Sequence, residues 1–152
     1  MIKYIKGDLL RATEGYIVHG CNCQGVMGSG VALAIKNKYP DAYYDYINYV
    51  SAYTDTSIRG RNLLGDIQYT KVTDKLTIAN AFTQQFYGKD GKQYASYAAI
   101  EDVMQSLKDF TSLDTHIHMP RIGCGYGGLD WSEVSQYIEY YLANHNVTIY
   151  EL

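Results

Sequence analysis

Ile17-Val18-His19-Gly20-Cys21-Asn22-Cys23-Gln24-Gly25-Val26-Met27-Gly28-Ser29-Gly30-Val31-Ala32 is the stretch on which the reading of the fold turns. An apolar run, Tyr16–Gly20, reads as a strand and gives way to a glycine-rich turn. That turn opens into Val31–Tyr39, where apolar residues recur at three- and four-residue steps and predict a helix. A second turn, Gly123-Cys124-Gly125-Tyr126-Gly127-Gly128, follows the apolar run Ile117–Pro120. Glycines remove side chains from a backbone whose amides, at a helix start, can then wrap a phosphate. Two such turns, after two separate strands, suggest a ligand with two phosphates.

Outward from these turns, short β-rich runs alternate with amphipathic helical patterns, as expected for helices on both faces of a largely parallel or mixed sheet. Strands are predicted at Ile2–Lys6, Tyr16–Gly20, Asp66–Thr70, Leu76–Asn80, Ile117–Pro120 and Thr148–Glu151. Helices are predicted at Val31–Tyr39, Asp41–Ala52, Ala95–Leu113 and Ser132–Asn144, with Pro40 enforcing a break between the first two. The segments Thr54–Leu64 and Tyr87–Lys92 are polar and turn-rich and read as surface loops. The chain shows no internal repeat and no low-complexity tract.

A chain of 152 residues with 47% apolar content makes one domain with mass enough for a proper core. The net charge of −3 argues against nonspecific nucleic-acid binding, which needs a basic face to displace counterions. An anionic ligand would therefore be held by local amides and a few chosen cations. The start, Met1-Ile2-Lys3-Tyr4-Ile5-Lys6, does not read as a signal peptide, and no apolar run reaches the roughly 18 residues of a membrane span. A soluble, cytoplasmic protein is expected. Cys21, Cys23 and Cys124 are odd in number and lack the spacing of a disulfide framework or a zinc site, so neither a metal nor a cofactor is expected. Among the 17 tyrosines, the cluster Tyr39, Tyr43, Tyr44, Tyr46, Tyr49 and Tyr53 has helical spacing without basic interleaving, which suits rings packed on a core better than a base-stacking platform.

The glycine turns do not fit the better-known phosphate loops. Gly20 and Gly25 have the spacing of a Walker A loop, but Val26-Met27 stands where Lys-Ser/Thr is required. Neither turn has the G-x-G-x-x-G order with its downstream acid, so hydride chemistry on a dinucleotide loses its support.

Four blocks remain: Lys6-Gly7-Asp8-Leu9-Leu10, Ile17 to Gly25, Met27 to Ala32, and Pro120-Arg121-Ile122-Gly123-Cys124-Gly125. In order and spacing they resemble the macrodomain family of ADP-ribose-binding proteins, over nearly the whole chain. The His-x-Cys-Asn-Cys core is similar to the ADP-ribose-1''-phosphate phosphatases. The Gly-x-Gly-Gly-Leu-Asp-Trp run ending at Trp131 is similar to the antitoxins that strip ADP-ribose from DNA. The resemblance implies a three-layer α/β/α fold with a mixed sheet of about six strands and a ligand at the strand ends.

The same resemblance places Asp8 and the Leu9 amide at the adenine, with Tyr150 nearby; a turn-forming role for Asp8 and a core role for Tyr150 stay open. It places Gly28, Ser29, Gly30 and Val31 around the distal ribose and one phosphate. Gly123, Cys124, Gly125, Tyr126 and Gly127 would supply amides from the opposite side, with Tyr126 flanking the terminal ribose. Asn22 matches an asparagine that orients ribose, His19 could relay a proton, and Lys36 aligns with the helix carrying a catalytic lysine in the glycohydrolase and antitoxin branch. Gly127 stands where the glycohydrolase has an aspartate, which weakens a lysine-plus-aspartate mechanism. Asp130 reads as a helix cap, with Glu133 at the third helical position. His116 and His118, alternate residues of one strand, share a face and read as structural.

Two classes of function follow. One is a hydrolase that removes a group from C1'' of ADP-ribose, with ADP-ribose-1''-phosphate as first substrate and ADP-ribosylated protein or nucleic acid as the alternative through Lys36. The other is a non-catalytic reader of ADP-ribose.

Overall fold

In the computed structural model, which describes residues 2–151, the β2 segment Gly15–Asn22 lies in the middle of a six-stranded sheet. The others are β1 (Ile2–Lys6), β3 (Ile67–Lys71), β4 (Leu76–Gln84), β5 (His116–Pro120) and β6 (Asn146–Glu151). Their order is β1-β6-β5-β2-β4-β3, parallel throughout except for β3, which pairs antiparallel with β4 at the edge. The helices are α1 (Gly30–Lys38), α2 (Pro40–Tyr53), α3 (Tyr97–Phe110) and α4 (Trp131–Tyr141).

Side-chain alternation on the central strands sorts the two helical layers. Val18 of β2, with Ala79, Ala81, Ile117, Met119, Val147 and Ile149, packs under α3 and α4 through Ile100, Met104, Val134 and Ile138. Ile17 and Cys21 face the other way with Ile78 and Phe82, toward Ile35 of α1 and Ala42 and Tyr46 of α2. Both faces of β2 are therefore dry, as its continuous apolar run requires. This is the three-layer α/β/α arrangement with a mixed sheet.

The observed elements differ from the expected ones mostly at their ends. β2 runs to Asn22 and β4 to Gln84, beyond the predicted Gly20 and Asn80, because His19, Gly20 and Cys21 pair with Asn80, Ala81 and Phe82 and, after a register shift that skips Thr83, Asn22 pairs with Gln84. β5 and β6 begin one and two residues earlier than predicted, at His116 and Asn146. The predicted Ala95–Leu113 helix is trimmed to Tyr97–Phe110, since Ser96 is its N-cap, its side chain accepting from the Ala99 amide. The last helix stops at Tyr141. The Thr54–Leu64 loop contains two short 3-10 turns, Thr56–Ile58 and Arg61–Leu63, and a third, Leu9–Arg11, follows β1. Pro40 occupies the first turn of α2, where its missing N–H costs nothing, and Asp130 caps α4 by accepting from the Ser132 amide. Tyr46 is fully buried, its ring tilted against Phe82, whereas Tyr44 and Tyr53 stay exposed, so the tyrosine helix is a packing element. No helix among the described residues is long and apolar enough to cross a membrane.

Candidate active site

β2 and β5 are neighbours, yet the chain leaves them in opposite directions, through α1 and α2 to the β3 edge and through α4 to β6. Such a switch point opens a crevice beyond the carboxyl ends of the strands. Here it is a cleft of about 1170 Å³, walled by both glycine turns and floored by the ends of β2 and β4. Leu9, His19, Asn22, Gly28, Ser29, Gly30, Val31, Gly123, Cys124, Gly125, Tyr126, Gly127 and Tyr150 all line it. Asp8 and Lys36 do not.

Each turn offers free donors. Ser29 is the N-cap of α1 and makes no side-chain capping bond, so the first amides of α1 and the Ser29 hydroxyl are left for a ligand, with the helix dipole behind them. In the second turn the closing bonds use the amides of Cys124, Gly128 and Leu129, to Arg121, Gly125 and Gly123 carbonyls, which leaves those of Gly125, Tyr126 and Gly127. Gly30 and Gly123 sit at φ 59° and 79°, a region that disfavours a side chain. Two cations stand at the rim. Arg121 pairs with Glu151, whereas the Lys89 ammonium lies 5.4 Å from the Tyr126 ring centre and makes no ion pair among the described residues.

His19 lies in the floor, almost wholly buried, and its tautomer is set from a distance. Asn80 Nδ2 donates to Gln68 Oε1 (2.8 Å) and to the Ala42 carbonyl (3.1 Å), so Asn80 Oδ1 faces His19 Nε2 at 2.5 Å. Gln68 Nε2 in turn donates to Thr70 Oγ1, whose hydroxyl donates to Asp45. The chain therefore holds the proton on Nε2 and leaves the Nδ1 lone pair unprotonated. Burial depresses the His19 pKa to about 4, the Asn80 bond opposing it. The imidazole is neutral at every physiological pH.

This depression has a sign in stability. Between about pH 6.5 and 4 the unfolded chain takes up a proton at His19 that the folded chain refuses, so stability falls as pH drops, by about 3 kcal/mol in all, and is flat above that window. His118, also held low by burial and by His116, acts in the same direction. Urea unfolding from pH 7.5 to 4 checks this: the wild-type slope should be visibly reduced in His19→Gln.

The other expected residues make structural contacts as well. Asn22 Oδ1 accepts from the Gln24 and Val26 amides, with Tyr46 Oη 2.9 Å away, and Nδ2 donates to the Val26 carbonyl. Asn22 thus shapes the loop that leads to Gly28, and a single Nδ2 hydrogen remains for a ligand. Asp8 caps the 3-10 turn by accepting from the Leu10 amide, the turn-forming role. Lys36 does not line the cleft, and its ammonium lies 4.3 Å from the Tyr43 ring centre, a cation–π contact. Burial raises the Cys21 thiol well above its ordinary value, Cys23 to about 12 and Cys124 to about 11, which removes thiolate chemistry at neutral pH.

Residues 18–138 match the family described as Macro domain. The chain belongs to the macrodomain family. Over its whole length it is 29% identical to the ADP-ribose 1''-phosphate phosphatase of Debaryomyces hansenii, covering 99% of this chain and 98% of that one. It is 32% identical over 140 residues to the DNA ADP-ribosyl glycohydrolase of Mycobacterium tuberculosis, covering 90% of this chain but 37% of that one. A solved structure from Bacteroides thetaiotaomicron, of a protein of unknown function, superposes with a TM-score of 0.86 at 31% identity, covering 100% of this chain and 98% of that one.

Two features of this macrodomain escape sequence reading. Thr83, on β4, lines the cleft while almost fully buried, and its hydroxyl has no hydrogen-bond partner among the described residues. It faces Gly20, where a Cβ would come within 2.5 Å of Thr83 Oγ1, so the pair leaves a polar notch in the floor. A strand position two past Ala81 gives no hint of this without the β2 to β4 register. Gly127, in turn, cannot hold a side chain: its Cβ would lie 2.5 Å from the Gly123 carbonyl oxygen and 2.9 Å from the Ala95 Cβ. Its carbonyl accepts from both Tyr94 and Ala95 amides, tying the turn to the start of α3.

Proposed function

We propose that this macrodomain binds ADP-ribose across its two glycine turns and hydrolyses ADP-ribose 1''-phosphate to ADP-ribose and inorganic phosphate. The observation that carries this reading is the meeting, in one cleft, of two sets of unpaired amides with a neutral imidazole whose tautomer is fixed. Amides preorganised around a diphosphate bind it without reorganising and stabilise charge that develops beside it. The full-length likeness to a phosphatase supports the same chemistry.

In the reaction, a water bonds to phosphorus, the bond from phosphorus to the C1'' oxygen breaks, and that oxygen leaves with a proton. His19 Nδ1 accepts the proton from the attacking water and delivers it to the departing C1'' oxygen, which returns the imidazole to its neutral form. Asn22 acts as a positioning residue through the loop it holds. The alternative, release of ADP-ribose from DNA or protein through Lys36, is disfavoured by the contact of Lys36 with Tyr43 outside the cleft.

Calorimetric titration with ADP-ribose followed by phosphate release from ADP-ribose 1''-phosphate tests the reading, with Lys36→Ala alongside. Binding and release that survive in Lys36→Ala support it; loss of turnover in that variant moves the chemistry to the lysine. Thr83 gives a second expectation. A ligand oxygen that engages this buried hydroxyl would supply its missing partner, so Thr83→Val should weaken ADP-ribose binding by about 1 kcal/mol, roughly fivefold, while removal of an unsatisfied buried hydroxyl holds or raises the melting temperature, by calorimetry and thermal unfolding.

A further inference from the structure

Beside the cleft, on the same sheet face, His116 and His118 of β5 stand over the turn that carries Glu14. Alternate positions on one strand suit a structural role for both histidines, but the fold also gathers them with the carboxylate. Their rings lie 3.8 Å apart, centre to centre. His116 Nδ1 is 3.2 Å and His118 Nε2 3.7 Å from the same Glu14 oxygen, and one donor atom from each of the three residues falls within 4.8 Å of the other two.

Those separations have a chemical meaning. Zinc bonds imidazole nitrogen at about 2.0–2.1 Å and carboxylate oxygen at about 2.0–2.2 Å, so tetrahedral geometry places its ligand atoms about 3.3–3.5 Å apart. The observed 3.2 and 3.7 Å bracket that spacing. The outer nitrogens are provided for as well. His116 Nε2 lies 2.7 Å from Thr148 Oγ1, and His118 Nδ1 lies 2.7 Å from Tyr150 Oη. Oxygen partners on the far nitrogen are what orient a metal-bound imidazole and select its tautomer. His118 Nε2 also stands 3.0 Å from the Glu14 carbonyl, which can take its proton when no metal is present. Metal at Nε2 shifts that proton to Nδ1, where Tyr150 Oη accepts it.

We infer that Glu14, His116 and His118 form a binding site for one divalent transition-metal ion of zinc type, with two nitrogens and one oxygen from the protein and water completing the coordination. The donor set favours zinc over magnesium or calcium, which prefer oxygen ligands alone. Because Tyr150 lines the ligand cleft, the site touches the nucleotide pocket through one hydrogen bond. It does not depend on the hydrolase reading.

The full chain, free of any histidine tag, is titrated with zinc by calorimetry and with cobalt(II) by visible absorption. One ion per chain is expected, with cobalt bands of a four- or five-coordinate site. Glu14→Gln and His116→Gln, both at accessible positions, should each weaken zinc by at least about tenfold, the lower end of what even outer-sphere losses cost, with unchanged melting temperature in the absence of metal. Variants that bind zinc as tightly as the wild type, or a stoichiometry well below one, overturn the site. Retained ADP-ribose binding in the same variants separates failure here from failure of the cleft.

Discussion

Replacing His19 with glutamine is expected to lower kcat for ADP-ribose-1''-phosphate hydrolysis by about 10²- to 10⁴-fold, the range typical of a lost general base. Glutamine is chosen because its amide can still donate to Asn80 Oδ1, so the buried chain from Asn80 through Gln68 and Thr70 to Asp45 keeps its partners. Alanine would leave the Asn80 oxygen unsatisfied and confound stability with catalysis, since an orphaned buried acceptor costs about 1–3 kcal/mol. The ADP-ribose dissociation constant should move little, because the contacts proposed for the diphosphate are backbone amides that the substitution leaves in place. A fall in kcat with affinity kept means an interaction made in the transition state has gone. Equal loss of both would make His19 a structural residue. Steady-state kinetics and calorimetry on the same preparation decide between them.

The second large effect is at Gly127. An aspartate there drives a side chain into the Gly123 carbonyl and the Ala95 Cβ, neither of which is the loose end of a flexible group. Overpacking of this kind costs about 1–3 kcal/mol, which for a domain of this size is a drop of roughly 2–12 °C in melting temperature. The second turn must open to relieve the clash, so the amides of Gly125 and Tyr126 lose their aim and ADP-ribose affinity should fall at least about tenfold, equivalent to about 1.4 kcal/mol. Thermal unfolding and calorimetry of Gly127→Asp read both. A variant as stable as the wild type that gains ADP-ribosyl hydrolase activity would show that the turn tolerates the acid after all.

The parts of this molecule that sequence reading captured are those whose physics is local. The β2 run and the glycines after it announce a strand-to-helix turn by residue type, and Asp130 with Glu133 announces the start of α4 by capping chemistry. Strand ends were less legible: Ala81-Phe82-Thr83-Gln84 continues β4 only because Gly20, Cys21 and Asn22 lie alongside it. The three-residue 3-10 turns carry no periodicity to detect. The site divides in the same way. Its walls were legible as glycine turns, whereas the Asn80 partner of His19 is 61 residues away and the Glu14 partner of His116 is 102 residues away. Lys36 was placed by its alignment along a helix. Whether α1 turns it toward the cleft or toward Tyr43 depends on how α1 packs against α2, which no local pattern encodes.

Phosphate release from ADP-ribose 1''-phosphate, followed with the wild-type chain and His19→Gln under conditions where ADP-ribose binding to both has been shown, tests the central claim most directly. Release by the wild type that is all but lost in the variant is the predicted result. Tight ADP-ribose binding by a wild type that releases no phosphate would contradict hydrolysis and leave this macrodomain as a binding protein.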